Sequence, residues 1–413
     1  MKFSTLCVKN RIYLDHNATS PIATTVSDQV AEWVQAWGNP GSIHQSGRGP
    51  KALLRTAREQ VADMIGAHPL EIVFTSGGSE ANNFAIKGVF DSFHNSTFLK
   101  DEFRNQYLFT SVEHPSVVKT AEYLKSRGAE IAIIPVSRDG QIDLEHYRRL
   151  LSNKTAMVSV MLANNETGNI FPIQKMADIA HEFGALFHAD CVQGLGKIPI
   201  NIRKLDVDLA SFSGHKFYAL RGSGFLYMKR GVRIESFIHG GGQERHRRGG
   251  TENVLAIASL GAMCAFKNDV YENGQKMKAL RDSMEDRICR ELSGVSITGC
   301  GSLRVPNTSS LVIPGVDGET LLMNLDMRGY SVSTGAACSS GSPEPSPVLL
   351  GMGLSREEAQ SSLRLGIGWS TSADELSKFI DVLKEVVDHL RTFSGELREN
   401  QIYNDQSDFG KKS

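Results

Sequence analysis

The hydrophobic and polar positions follow two alternating periods from about residue 53 onward. Apolar residues spaced three or four apart predict helices, and the short apolar runs between them predict strands. The predicted helices include LLRTAREQVADMIGA, EANNFAIKGVF, SVVKTAEYLKSRG, DLEHYRRLL and IQKMADIAHEFG, and the predicted strands include EIVFT, QYLFTSV, AEIAIIPV, TAMVSVMLAN and ALFHADCV. This order predicts repeated βα units, and hence an α/β fold with a mainly parallel sheet covered by helices on both faces.

The pattern changes after the strand GSGFLYMK. A long helical stretch near residues 254 to 292 leads into SSLVIPG, GETLLMNLDMRG, SSLRLGIG and ADELSKFIDVLKEVVDHL, which are typical of a smaller α+β lobe. We therefore predict a large domain over residues 16–262 and a small domain formed by residues 1–15 with 263–393. The polar residues 394–413 indicate a flexible tail.

Composition and charge indicate which kinds of partner the protein binds. The chain has 413 residues, and its 45 Lys and Arg nearly cancel its 46 Asp and Glu, so no global field favours nucleic acid or a membrane surface. No apolar run approaches the length of a membrane-spanning helix. Six cysteines without a CxxC pair or a paired histidine spacing indicate neither a disulfide framework nor a metal site. We expect a cytoplasmic protein whose partners are small molecules or other proteins.

One lysine stands out in the stretch SFSGHKFYALRGSGFLY. Lys216 has the apolar flanks Phe212 and Phe217, with Leu226 and Tyr227 further along, and this pattern predicts burial. A buried ammonium without a partner is costly, so a lysine in such a place is usually neutral or chemically committed, for example as an imine. The alternative interpretation is an ordinary solvated surface lysine.

Polar residues follow several of the predicted strands, at the edge where parallel sheets collect their ligands. Gly78 and Ser79 in FTSGGSEANN precede a helix whose first backbone N–H groups could bind a phosphate, unless the stretch is merely a turn. His114 in SVEHPSV could stack on a flat ring, or it could cap a helix or fill the core. Asp190 in FHADCVQ needs a cation, whereas Cys191 faces the opposite way and is interpreted as a buried filler.

These features together indicate one cofactor. A phosphate, a flat ring whose basic nitrogen Asp190 could keep protonated, and an aldehyde for Lys216 are the parts of pyridoxal 5'-phosphate. In this order, the sequence contains YLDHNAT, GNPGSIH, FTSGGSEANN, SVEHPSV, MLANNETG, HADCVQ, SFSGHKFY, GGGQERHRRGGTENV and STGAACSSGSPEPSPVLLGMG. The set resembles the cysteine desulfurases and selenocysteine lyases of the class V aminotransferase group, over about residues 11 to 390. The resemblance implies PLP-dependent transferase fold type I, with a seven-stranded-type sheet.

The same resemblance implies a set of cofactor-binding residues. In chain order they are Gly78, Ser79, His114, Asn165, Asp190, Gln193, Ser213, His215, Lys216 and Thr251. Lys216 would form the imine and later move the substrate's α-proton. Ser213 and His215 would join the phosphate seat, and Asn165 and Gln193 would reach the substrate side and the ring oxygen.

Three further roles follow from the resemblance. His114 would lie over the cofactor ring as part of the catalytic set. Thr251 would contact the phosphate of the other subunit, which implies a homodimer. Arg364 in SSLRLGIG would bind the substrate carboxylate, a task that suits its planar pair of donors, although an interlobe ion pair is the alternative.

The stretch STGAACSSGSPEPSP distinguishes among the reactions that the cofactor supports. Cys338 lies among small residues that resist regular structure, which suits a nucleophile that must approach the substrate and leave with its sulfur. The predicted enzyme converts L-cysteine to L-alanine and leaves a persulfide on Cys338. That sulfur would pass to an acceptor protein, with iron–sulfur cluster biogenesis as one destination.

Three alternatives stay open from the sequence. A selenocysteine lyase acting on L-selenocysteine would share the fold, and PSPVLLGMG is closer to those enzymes. A noncatalytic sulfur-relay scaffold would keep the fold without turnover, and an ordinary aminotransferase would leave Cys338 idle. Ala219 and Leu220 stand where the family often has Gly-Pro, which puts the local turn in question but not Lys216.

Overall fold

The computed structural model of the protein describes residues 11–95, 104–335 and 344–409. The strands are β1 (Ile12–Tyr13), β2 (Ile72–Thr75), β3 (Gln106–Thr110), β4 (Glu130–Ile134), β5 (Thr155–Met161), β6 (Leu186–Asp190), β7 (Leu209–Ser213), β8 (Gly224–Met228), β9 (Ser296–Ile297), β10 (Thr308–Val312), β11 (Tyr330–Ser331) and β12 (Ser362–Gly366). The helices are α1 (Thr24–Val34), α2 (Gln45–Ile65), α3 (Gly78–Asn95), α4 (Pro115–Ser126), α5 (Leu144–Leu150), α6 (Ile173–Glu182), α7 (Ile202–Leu205), α8 (Gln243–His246), α9 (Val254–Cys264), α10 (Asp269–Glu291), α11 (Gly318–Met327), α12 (Pro347–Gly351), α13 (Arg356–Gln360) and α14 (Ala373–Phe409).

Within the described residues, the large lobe is built on a seven-stranded sheet with the order β2-β8-β7-β6-β5-β3-β4. Strands β3 to β7 are parallel, while β8 is antiparallel to its neighbours β2 and β7. Every residue of β5, β7 and β8 is buried, as expected for strands with apolar clusters on both faces. The predicted α/β class and the mainly parallel sheet are therefore confirmed.

The carboxyl ends of β2, β3, β5, β6 and β7 lie at one edge of this sheet, because β2 and β7 are both antiparallel to β8. Gly78 and His114 come shortly after β2 and β3, and Asn165 comes after β5. Asp190 and Ser213 are the last residues of β6 and β7. Residues that are far apart in the sequence therefore meet at the edge where such sheets bind ligands.

The small lobe contains an antiparallel sheet with the order β12-β10-β9. Its core combines Leu14 with side chains from α10, α11, β10, β12 and α14. Strand β1 pairs in parallel with β11, and Asp15 forms a bridge to Gly366, so residues 11–15 lie with this lobe. The domain boundaries proposed from the sequence stay a prediction, and α12 places Val348 and Leu349 in the core of the large lobe.

Several helices differ from the expectation. The helical stretch near residues 254–292 is divided into the two helices α9 and α10. They pack on different lobes, since α9 is buried on most faces in the large lobe and α10 packs a narrower apolar face on the small lobe. Helix α1 was not predicted. Helix α14 continues to Phe409 through part of the segment indicated as a flexible tail, where Glu, Leu, Arg and Gln favour a helix. Within the three described ranges, every helix is too short or too polar to cross a lipid bilayer.

Gly196 provides a test of the packing next to Lys216. Its φ is +73°, and a Cβ built there would lie 1.9 Å from Cδ2 of Phe217. We expect Gly196→Ala to lower the free energy of unfolding by more than about 2 kcal/mol, because it adds both backbone strain and a clash. Gly128→Ala is the control, since its φ is +93° and its Cβ would meet no atom within 4 Å. Urea unfolding measures both variants, and equal losses would contradict the packing argument.

Candidate active site

A cavity of about 330 Å³ opens at the carboxyl edge of the large sheet. The predicted site residues that line it are Gly78, Ser79, His114, Asn165, Asp190, Gln193, Ser213, His215, Lys216 and Arg364. Arg364 comes from β12 of the small lobe, whereas the others follow or end strands of the large sheet. Among the residues that it describes, the structure thus brings together every predicted site residue except Thr251.

One end of the cavity is suited to a phosphate. Helix α3 begins at Gly78, and the unpaired N–H groups of its first turn lie beside Ser213. A Cβ at position 78 would lie 2.6 Å from Cγ2 of Val192, so glycine is needed there. The Oγ of Ser213 is buried and finds no hydrogen-bond partner in the described part of the chain, which suits it to a ligand oxygen. Burial, reinforced by the charge on Lys216, lowers the pKa of His215 to about 4, so this ring is neutral at pH 7.

Asp190 has a fixed orientation at the end of β6. Its Oδ2 accepts a hydrogen bond from Nδ2 of Asn82 at 2.7 Å, and its Oδ1 accepts one from the backbone N–H of Val192 at 3.0 Å. The side chain is buried, so the carboxylate is suited to a cationic ring nitrogen. Asn82 was missed in the sequence analysis, although it lies in the FTSGGSEANN motif that was singled out there.

His114 combines two of the roles considered for it. Its Nδ1 accepts a hydrogen bond from the backbone N–H of Ser116 at 3.1 Å, so the ring caps the start of α4. The same ring lines the cavity. Burial lowers the pKa of His114, and the charge on Lys216 lowers it further while Asp190 opposes the shift. A neutral, fixed imidazole is suited to stacking on a flat ring.

Lys216 lies in a short 3-10 turn, Gly214–Lys216, directly after β7. The flanking residues Phe212 and Phe217 are fully buried, as the sequence predicted. The Nζ of Lys216 donates to the carbonyl oxygens of Asn17 and Ala18, both at 2.6 Å. Burial, followed by the charge on Arg364, lowers the pKa of Lys216 to about 8 against the opposing effects of two carboxylates. A lysine with this pKa is available as a nucleophile and a base near neutral pH.

Arg364 reaches the cavity from the small lobe and forms an ion pair there. Its Nη2 lies 2.7 Å from Oδ1 of Asp15, and its Nη1 donates to the carbonyl of Asn165 at 3.4 Å. The buried Nε of Arg364 makes no hydrogen bond to any residue of the described ranges. The guanidinium therefore has capacity for a carboxylate while Asp15 orients it. Asp15 belongs to the small lobe, so this ion pair does not join the two lobes as the alternative to the carboxylate clamp supposed, and the clamp itself stays a prediction.

Asn17 is a second residue that the sequence analysis missed. Its backbone carbonyl accepts hydrogen bonds from Lys216 and from Nε2 of Gln193, the latter at 3.0 Å. Its side-chain Nδ2 donates to the carbonyl of Asn165 at 3.0 Å and to Oγ1 of Thr308 at 2.8 Å. Its place in the YLDHNAT motif was the available signal, but the motif does not reveal which groups the asparagine meets.

One predicted residue lies elsewhere, and another lies outside the described ranges. Thr251 lies outside the cavity, in neighbouring grooves lined also by Gly222, Arg248 and Trp37. Cys338 lies outside the described residues. The described chain reaches Gly335 on one side of Cys338 and resumes at Glu344 on the other.

Comparison with known proteins agrees with the fold and the cavity. The family described as aminotransferase class-V matches residues 12–379. The cysteine desulfurase IscS of Dictyoglomus turgidum is 40% identical over 398 residues, which cover 96% of this chain and 99% of that protein. The cysteine desulfurase of Gluconacetobacter diazotrophicus is 38% identical over 389 residues, covering 93% of this chain and 95% of that protein.

A solved structure of a NifS-like protein superposes with a TM-score of 0.85 at 33% identity, covering 92% of this chain and all (100%) of that chain. Another, of SspA in complex with cysteine, has a TM-score of 0.73 at 30% identity, with 86% of this chain and 98% of that chain covered. The chain therefore belongs to the class-V aminotransferase family, among the cysteine desulfurases. The resemblance inferred from the motifs is confirmed, as is the fold type that it implied.

A buried carboxyl group beside the site should make stability depend on pH. Glu113 is 4% exposed, and its Oε1 accepts hydrogen bonds from Oγ1 of Thr110 at 2.6 Å and from the backbone N–H of Met161 at 3.0 Å. Burial raises the pKa of Glu113 from 4.5 to about 8. Because the folded-state pKa is the higher one, the stabilising contribution of the protonated form is fully present below pH 4.5 and is lost as the pH rises through 8.

We expect Glu113→Gln to remove this pH dependence, because glutamine keeps an acceptor oxygen and does not ionise. Between pH 5 and pH 8 the unsubstituted protein should lose roughly 3 kcal/mol of unfolding free energy more than the variant does. Urea unfolding across this range measures the difference. Glu145→Gln, at an exposed position on α5, is the control. Parallel pH profiles for the unsubstituted protein and Glu113→Gln would contradict the assignment.

Proposed function

We propose that the protein is a pyridoxal 5'-phosphate-dependent cysteine desulfurase, which converts L-cysteine to L-alanine and transfers the sulfur to an acceptor. The observation that carries the proposal is the grouping of Lys216, Asp190 and Ser213 in one cavity of a chain whose relatives are named cysteine desulfurases. One structural neighbour, SspA, was solved in complex with cysteine, which supports the choice of substrate.

The residues of the cavity fit pyridoxal phosphate. The start of α3 at Gly78 and Ser79, with the unpartnered Oγ of Ser213, would hold the phosphate. The oriented carboxylate of Asp190 would keep a proton on the ring nitrogen, and His114 would lie over the ring. When bound, the cofactor supplies a covalent attachment for the substrate amine and an electron sink for the bonds at its α-carbon.

Lys216 and Arg364 would act on different parts of the substrate. The Nζ of Lys216, with its pKa lowered to about 8, would carry the proton that leaves the α-carbon. The unpartnered Nε of Arg364 would bind the substrate carboxylate, while the ion pair with Asp15 fixes the plane of the guanidinium. Asn165, whose Oδ1 is buried without a partner among the described residues, would contact the substrate from the other side.

Cys338 is proposed as the sulfur acceptor within the enzyme. Its thiolate would attack the sulfur of the bound cysteine, so that an S–S bond forms while the substrate's C–S bond breaks. The β-carbon gains a proton to become the methyl group of alanine, and a persulfide stays on Cys338. No external oxidant or reductant is needed, because the electron pair of the broken C–S bond stays with the β-carbon, which is reduced as the sulfur is oxidised to the level of the persulfide. The persulfide would then pass to an acceptor protein, with iron–sulfur cluster biogenesis as the proposed destination.

The comparisons do not favour the alternatives. The relatives at 36–40% identity are named cysteine desulfurases, rather than selenocysteine lyases or ordinary aminotransferases. A noncatalytic scaffold would have no need of the lowered lysine pKa or of the oriented Asp190. Competition between L-cysteine and L-selenocysteine distinguishes a cysteine desulfurase from a selenocysteine lyase, since the lyase would release negligible sulfide from cysteine.

The oligomeric state is part of the proposal. Thr251 lies outside the cavity of its own chain, which supports a homodimer in which it reaches the cofactor phosphate of the other subunit. Trp37 is 80% exposed and lines a groove with Thr251, and Ile43 is 96% exposed, so a second copy would cover substantial apolar area here. Sedimentation analysis tests this, and Trp37→Asp should shift a dimer towards monomer.

The proposed compartment rests on the absence of disulfide pairing among the described cysteines. Cys191, Cys264, Cys289 and Cys300, the cysteines that fall within the described ranges, are all free thiols. We propose a cytoplasmic location on this basis. Cys191 is fully buried, and burial raises the pKa of its thiol well above the usual value, which agrees with its interpretation as a core residue.

The attachment of the cofactor to Lys216 is the central test of the proposed function. Borohydride reduction of the protein loaded with pyridoxal phosphate should fix a vitamin B6 derivative to the peptide that contains Lys216. Lys216→Ala should abolish this attachment and lower turnover by at least about 1000-fold, because both a nucleophile and a base are lost. Lys229→Ala, which removes a lysine paired with Asp206 at 2.8 Å, is the control and should leave labelling intact. Labelling at any other lysine would contradict the assignment.

The nucleophile has a separate test. We expect Cys338→Ala to bind cofactor and cysteine but to release no sulfide above background. In the unsubstituted protein, brief exposure to L-cysteine should add one sulfur to the peptide that carries Cys338, as measured by mass spectrometry. Cys300→Ala, which removes an exposed free thiol, is the control. Normal turnover in Cys338→Ala would favour an aminotransferase or another thiol instead.

A further inference from the structure

Lys197 is a buried lysine for which the proposed mechanism has no role. It lies in the turn after β6 and is 5% exposed. Its Nζ donates hydrogen bonds to Oδ1 of Asn17 at 3.3 Å and to Oε1 of Gln193. Both partners are neutral amide oxygens rather than carboxylates, so the hydrogen bonds of this ammonium are satisfied but these partners do not neutralise its charge.

The surroundings disfavour a charged group at this place. Burial, followed by the charges on Lys216 and Arg364, lowers the pKa of Lys197 well below its usual range. A buried ammonium that is destabilised in the protein alone becomes favourable beside an anion. Gln193 and Lys216 both line the cavity where the anionic cofactor would lie. Lys197 is therefore connected to the cavity through its hydrogen bond to Gln193.

The chemistry of an ammonium restricts the amide that it contacts. An ammonium has three donors and no acceptor, so the oxygen of the Gln193 amide must lie on the side of Lys197. The Nε2 group is then turned the other way, where it donates to the carbonyl of Asn17 at 3.0 Å. This bond uses one of its two hydrogens, which leaves one N–H for an oxygen in the cavity.

We propose that Lys197 is a positioning residue, which holds the Gln193 amide so that an N–H, and not the carbonyl, is presented to the ring oxygen of pyridoxal phosphate. The inference rests on the proposed function and assigns a residue that supports it from behind the cavity wall. Without Lys197, only the hydrogen bond from Nε2 to the Asn17 carbonyl still orients the amide, and a half turn would place the amide oxygen against the anionic ring oxygen, which is repulsive.

The test is a pH titration of the visible absorbance of the protein loaded with pyridoxal phosphate. Loss of an N–H donor to the ring oxygen and loss of a nearby positive charge both favour the protonated form of the lysine–cofactor linkage. Lys197→Met should therefore raise the titration midpoint by about one pH unit, and Gln193→Leu should raise it by a similar amount. In the double variant the rise should be smaller than the sum, because both substitutions remove the same donor.

Lys229→Met is the matched control, because it removes a lysine that pairs with Asp206 and not with a residue of the cavity, and the titration midpoint of this variant should be unchanged. An unchanged midpoint in folded Lys197→Met, or shifts that add fully in the double variant, would overturn the inference without contradicting the proposed function. If Lys197→Met does not fold, Lys197→Leu provides a second replacement without a donor, for which an upward shift supports the inference and no shift overturns it. Absence of any visible band in the unsubstituted protein would instead contradict the proposed function.

Discussion

The position of Lys216 depends on the buried segment that carries Asn17. This residue is 1% exposed and lies where the two lobes meet. Its carbonyl accepts a hydrogen bond from Lys216 of the large lobe, while its side chain bonds to Thr308 of the small lobe. An unpaired buried amide costs about 1–3 kcal/mol per group, so these bonds strongly favour one arrangement. The placement of the lobes and the position of the Lys216 amine are therefore set together.

The charges of the cavity follow from the same arrangement. Lys216 and Arg364 share a small and largely buried space, where burial and the charge on Arg364 lower the pKa of Lys216 against the opposing carboxylates of Asp15 and Asp190. Burial weakens the screening by water, so each charge is felt by its neighbours. The result is a lysine whose amine is readily deprotonated, in a cavity that fits the proposed phosphorylated cofactor and the proposed substrate carboxylate.

Much of the fold and part of the site could be predicted from local pattern. The strands β5, β7 and β8 are continuous apolar runs that are buried on both faces, and residues such as Gly78 and Asp190 stand at strand ends, where any parallel sheet collects them. The roles of Gln193 and Arg364 required the resemblance to a family, because neither residue stands out in its own neighbourhood. The break between α9 and α10 was missed, since a local pattern does not reveal that two consecutive helices pack on different cores.

The sequence by itself determined the kinds of elements and the chemical groups available at the strand ends, because periodicity and residue type are local properties. Only the tertiary structure decided which of those groups meet. Asp15 pairs with Arg364 across 349 positions, and Asn82 with Asp190 across 108. Such pairs arise from the crossing of strands and lobes in space, and the burial that lowers the pKa of Lys216 depends on all of them at once. A linear pattern carries no distances between segments, so these contacts and the reactivity that they produce exist only in the folded chain.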